Sequence, residues 1–147
     1  MQAQMLAPAA VLIAWSLVMM GWLAVTRIPA MTQMGGLRKA KPGARGQDLE
    51  GVLDDRVNWK AHNYAHLMEQ PTLFYAASLI IALLGVAAGD VLAAWIYVAL
   101  RVIHSLWQAT VNIVSVRFLL FLASSVALMW LAYRALSLTL FPELVAA

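Results

Sequence analysis

Three long stretches of this chain carry no charged side chain, and that feature limits what it can fold into. Charge is absent from Met1 to Thr26, from Gln70 to Gly89 and from Phe118 to Tyr133, and the last run resumes after Arg134. A helix needs about 20 mostly apolar residues to cross the hydrocarbon core of a bilayer. A soluble domain of 147 residues has no core large enough to hide several such runs on every side. The chain is 63% hydrophobic and 12% charged, against about 25% charge in an average soluble domain. The expected fold is an all-α membrane protein, a four-transmembrane-helix bundle forming one domain over residues 1–147. Spans are expected at about 5–25, 62–85, 91–112 and 118–140.

No Lys or Arg precedes the first apolar run. It therefore reads as a retained helix, because a secretory signal has a basic leader and a short apolar core. Pro8 suits its first turn, where no N–H is needed. The chain has no cysteine, which excludes disulfides, thiolate metal sites and a Cys nucleophile of its own.

The segment 27–60 differs in kind. It holds seven of the ten basic residues, among them Arg27, Arg38, Lys39, Lys41 and Arg45. Pro29, Gly35, Gly36, Pro42, Gly43 and Gly46 are expected to break any long helix there. Basic residues beside a span favour the cytoplasm, so this loop is expected inside and both termini on the non-cytoplasmic side. Arg38 and Lys39 read as topology signals. The short turn Gly85–Asp90 suits the outer face. Ile113–Arg117 leaves room only for an antiparallel hairpin, with Arg117 at the cytoplasmic edge.

Polar residues interrupt two spans where lipid is expected. At about 100° per residue, Arg101, His104, Ser105, Gln108, Asn112 and Ser115 share one face of the third span. A charge near mid-membrane costs at least ~2.5 kcal/mol, so this face must look inward at partners. In the second span His62, His66 and Glu69 share a face, with Asn63 beside them. Glu69 is the expected counter-ion of Arg101 or Arg117. Two readings remain open from these residues: an ion pair that only holds helices together, or a polar cavity that binds an anionic small molecule. A metal at His62, His66 and Glu69 is disfavoured, because the nearby arginines repel cations. No phosphate-binding glycine loop, nucleophile elbow or nucleic-acid face is present.

Two stretches resemble the MAPEG family, the membrane-associated proteins in eicosanoid and glutathione metabolism. The first is His62-Asn63-Tyr64-Ala65-His66-Leu67-Met68-Glu69-Gln70-Pro71, followed by Leu73-Phe74-Tyr75. The second is Leu100-Arg101-Val102-Ile103-His104-Ser105, with Asn112 and then Arg117-Phe118. The match is closest to bacterial members of unassigned function, which implies a bacterial inner membrane. The resemblance implies a homotrimer of four-helix bundles with glutathione between subunits in the cytoplasmic half. Buried polarity of this extent also gives a trimer a physical motive.

By the same resemblance, Arg117 stands where the family activates the glutathione thiol as thiolate. Glu69 matches an acidic contact, His66 a position usually held by Asn, and Arg101 with His104 an Arg-x-x-His pair. Asn63, Gln108 and Asn112 complete the expected glutathione contacts. This chain departs from the glutathione-using members at His66, at Gln108 where several carry Tyr, and at Phe118 where one prostaglandin-forming member has Ser. The scaffold therefore carries over better than the catalytic site. Two functions stay open: a glutathione-dependent transferase or peroxidase for lipophilic substrates, or a non-catalytic accessory subunit of a larger membrane complex.

Overall fold

The computed structural model describes residues 1–36 and 41–145. Arg38 and Lys39 lie outside the described residues. The described residues are helical apart from turns and loops, in the order α1 (Gln2–Gln33), a 3-10 turn (Gly46–Leu49), α2 (Asp55–Leu67), α3 (Gln70–Leu84), α4 (Ala88–Thr110), α5 (Val114–Leu140) and α6 (Pro142–Val145). Four segments are long and apolar enough to cross a membrane: α1, α2 with α3, α4, and α5. The expected number of spans holds, and their ends move.

Helix α1 begins at Gln2 and runs through Arg27 and Pro29 to Gln33. Pro29 therefore does not end the helix, and Arg27 belongs to α1 instead of the loop. Pro8 lies inside the helix, past the first turn. Proline is tolerated within spans because hydroxyl side chains and neighbouring helices can re-satisfy freed backbone groups. The second span starts at Asp55, well before residue 62. Asp54 caps it, its carboxylate accepting from the Arg56 N–H at 2.8 Å. Charge was a poor boundary marker at these two ends, because both helices project beyond the apolar zone.

The second span is also broken. Helix α2 stops at Leu67 and α3 restarts at Gln70, with Pro71 in its first turn. A proline lacks the N–H that would continue the ladder, and its ring clashes with the carbonyl four residues back. That carbonyl belongs to Leu67.

Helix α4 is the hub, packing against α1, α2 and α5, while α3 packs on α1 and α5. The interior holds Met5, Leu12 and Met19 of α1, Phe74 and Ile81 of α3, Tyr97 of α4 and Leu131 of α5. The rings of Phe74 and Tyr97 stack with centroids 4.4 Å apart. Large apolar residues such as Leu17, Val25, Leu83, Leu119 and Met129 face outward, as a lipid-exposed surface requires. In lipid, close packing and interhelical hydrogen bonds must hold the bundle, since hydrocarbon is as apolar as leucine. Ser105 supplies such a node. Its hydroxyl accepts from Trp15 Nε1 of α1 at 3.0 Å and from Asn63 Nδ2 of α2 at 2.9 Å. Gln70 Nε2 of α3 donates to Ser125 Oγ of α5 at 2.8 Å.

Candidate functional site

The break between α2 and α3 is where the polar residues gather. The interrupted ladder leaves the His66 carbonyl able to accept from Arg101 Nη2 of α4 at 3.0 Å. Arg101 Nη1 lies 3.3 Å from His66 Nε2. On the other side of the same ring, Nδ1 lies 2.8 Å from Glu69 Oε2. A guanidinium can only donate and a carboxylate can only accept. The His66 proton therefore sits on Nδ1 and is donated to Glu69, while Nε2 accepts from Arg101. His66 also packs against the rings of His104 and Phe121, with centroids 5.1 Å and 5.5 Å away.

This corrects the expected ion pair. Glu69 contacts neither Arg101 nor Arg117 directly, because the His66 imidazole stands between Glu69 and Arg101. Arg117 Nη1 instead donates to Asn112 Oδ1 at 2.8 Å. Asn112 forms the turn between α4 and α5 and adopts a left-handed backbone, φ 55°. Asparagine tolerates that conformation better than other residues with a Cβ. It thus sets both the hairpin and the direction of Arg117. Asn112→Ala is expected to cost about 1 kcal/mol through backbone strain. Asn112→Gly should keep the thermal transition of the wild type while freeing Arg117; a melting comparison of the two variants in detergent checks this.

A cavity of about 490 Å³ opens beside these residues. Arg117, His66, Glu69, His104 and Gln108 line it, and Phe118 and Phe121 form an apolar wall. The remaining expected residues stand behind the lining. Arg101 is fully buried and reaches the cavity only through His66. Asn63 is committed to Ser105, and Asn112 holds Arg117 from the side. Within the α4 stripe, Arg101 and Ser105 are thus turned toward α1 and α2 of the same chain, while His104 and Gln108 line the cavity.

His62 also lines the cavity, and its Nε2 is 2.9 Å from Glu50 Oε1 of the preceding loop. Among the described residues no group of three His, Asp or Glu side chains is placed to hold a metal ion.

With the broken second span and the Arg101–His66–Glu69 chain in view, comparison decides the kinship. The MAPEG family model matches residues 5–137. The chain belongs to the MAPEG family. The resemblance read from the second and third spans is thereby borne out, and with it an integral, multi-pass membrane protein built as a four-helix bundle. Neither a curated protein nor a solved structure matches the chain.

Sequence reading missed one polar feature of this MAPEG chain. At the opposite end of the bundle Asp90 is fully buried and holds Arg134 of α5, with Nε 3.0 Å from Oδ1. Asp90 also caps α4, accepting from the Ala87 N–H at 3.0 Å. A signal existed: Asp90 and Arg134 lie 22 residues either side of Asn112. A tight hairpin turning at Asn112 must bring them level.

Proposed function

We propose that this MAPEG chain is a glutathione-dependent transferase or peroxidase acting on lipophilic electrophiles. The observation that carries the reading is one cavity lined by Arg117 together with His66, Glu69, His104 and Gln108. The donor set fits glutathione. Arg117 offers cationic N–H groups, and Glu69 offers an acceptor for an ammonium. Among the described residues Gln108 Oε1 has no hydrogen-bond partner, and a peptide N–H would satisfy it. Bound glutathione supplies the thiol nucleophile. A cation beside a thiol favours the thiolate, the reactive form, and that is the role of Arg117. His66, fixed by Arg101 and Glu69, sets the cavity floor. Phe118 and Phe121 give an apolar side by which a lipid-soluble electrophile can arrive from the bilayer.

The proposal extends to the surroundings of the site. The whole chain forms one domain, and three copies assemble so that each cavity is closed by a neighbour. The basic loop lies in the cytoplasm, both termini lie outside, and the membrane is the bacterial inner membrane. Glutathione then reaches the cavity from the cytoplasm.

One observation favours a second reading. His66 engages Glu69 and Arg101 within the chain, which withdraws part of both from a ligand. This suits a non-catalytic accessory subunit of a larger membrane complex. Gentle detergent extraction and size analysis separate the two: a free homotrimer favours the enzyme, and a larger stable assembly with other proteins favours the subunit. The thiolate itself gives the direct test. Mixing wild-type protein with glutathione at neutral pH should raise the ultraviolet absorbance band of a thiolate, and Arg117→Ala should abolish it. No band with the wild type would overturn the reading.

A further inference from the structure

Arg101 is fully buried and stands outside the lining of the cavity at the α2–α3 break. Its hydrogen bonds among the described residues both go to His66. Nη2 donates to the His66 carbonyl at 3.0 Å, and Nη1 faces the ring nitrogen Nε2 at 3.3 Å. The first contact already joins α4 to the end of α2. The second bears on the side chain alone, so it needs a reason beyond helix packing.

The reason lies one residue further on. A neutral imidazole carries a proton on one nitrogen and a lone pair on the other. With the proton on Nε2, one N–H would point at another across 3.3 Å, and the Nδ1 lone pair would point at a carboxylate across 2.8 Å. Both conflicts vanish with the proton on Nδ1. Arg101 therefore selects the tautomer, and the tautomer supplies the donor that holds Glu69. Glu69 needs holding, because its side chain is 66% exposed and His66 is its one side-chain hydrogen-bond partner among the described residues. A long exposed side chain turns freely unless something orders it. His66 takes Oε2, which leaves Oε1 as a fixed acceptor at the cavity wall. The rings of His104 and Phe121 pack on His66 and limit its own rotation.

We propose that Arg101 is a positioning residue that sets which ligands the cavity accepts. Through the His66 tautomer it fixes the Glu69 carboxylate, and Glu69 then selects a ligand bearing a primary ammonium. Arg101 itself touches no ligand. The choice of ammonium rests on the glutathione reading of the cavity; the tautomer lock does not.

The test pairs a spectrum with a binding measurement on the purified full chain in detergent. Nitrogen-15 shifts distinguish the two neutral tautomers of histidine, and loss of a signal in His66→Gln assigns it. Without ligand, the wild type should show His66 protonated at Nδ1. Arg101→Lys keeps a cation for the carbonyl but lacks the rigid fork, and should give a mixture of tautomers. Calorimetry then compares glutathione with its analogue lacking the γ-glutamyl amino group. The wild type should prefer glutathione by about tenfold, the scale of one hydrogen bond to a charged group, and Arg101→Lys should bind the two about equally. His66→Gln should keep most of the preference, because an amide can also donate to Glu69 and accept from Arg101. A wild-type ring protonated at Nε2, or a tautomer unmoved by Arg101→Lys, would overturn the proposal. So would a wild type that binds glutathione and the analogue alike, an outcome that leaves the glutathione reading standing. A tautomer locked in the wild type and lost in Arg101→Lys, in a protein that binds neither compound, would support the lock and remove glutathione as the ligand.

Discussion

Arg134→Ala is expected to lower stability by about 3–5 kcal/mol, the cost of leaving one member of a buried ion pair without its partner. Asp90 is fully buried, and Arg134 is only 16% exposed at its side chain. The substitution leaves the carboxylate at the end of the bundle with the Ala87 N–H as its one remaining hydrogen-bond donor among the described residues. The pair joins the first turn of α4 to the last turns of α5, so its loss frees that end of the hairpin. Replacing both partners with leucines should cost far less, because two well-packed apolar residues avoid the desolvation penalty altogether. Chemical unfolding in mild detergent reads the difference. A double variant as unstable as Arg134→Ala would show that the helix cap, and not the ion pair, sets stability there.

Arg117→Ala should lower the rate of glutathione conjugation by about a hundredfold, the usual loss when one positioned donor to a developing or resident anion is removed. Arg117 stands at the start of α5, half-buried, with one hydrogen bond to Asn112. Its removal leaves no buried partner unpaired, so the fold should survive with a transition close to wild type. Rate and stability are therefore expected to separate: a large effect on the first and a small one on the second. Arg117→Lys should recover part of the rate, since it restores the charge without the fork. Assays with a lipid-soluble electrophile on purified variants check this. Equal rates for wild type and Arg117→Ala would remove Arg117 from the chemistry.

How legible was this in the sequence? The membrane bundle was, because runs such as Phe118–Tyr133 have no soluble alternative. The α4 stripe was legible too, since helical periodicity alone puts Arg101, His104, Ser105 and Gln108 on one face, and all four are buried. Boundaries were less so. Arg27 and Pro29 looked like loop and proved to be helix, because a span can run past the hydrocarbon into the interface before it stops. Pro71 announced a break, yet the second span read as continuous, since its apolar content flows across the interruption. The break matters most for the site: the His66 carbonyl beside it accepts from Arg101. The direct Glu69–arginine pair failed for a related reason. Spacing puts residues on a face but does not say which side chain lies between them, and here His66 does. Asp90 and Arg134, 44 residues apart, meet only once the hairpin has closed.

The most direct measurement is calorimetric titration of the purified protein with glutathione at neutral pH, alongside Arg117→Ala and Gln108→Ala. Glutathione binding in this cavity predicts saturable heat for the wild type at millimolar glutathione, and weaker binding for both variants. No heat for the wild type, with the protein folded and assembled, would contradict it.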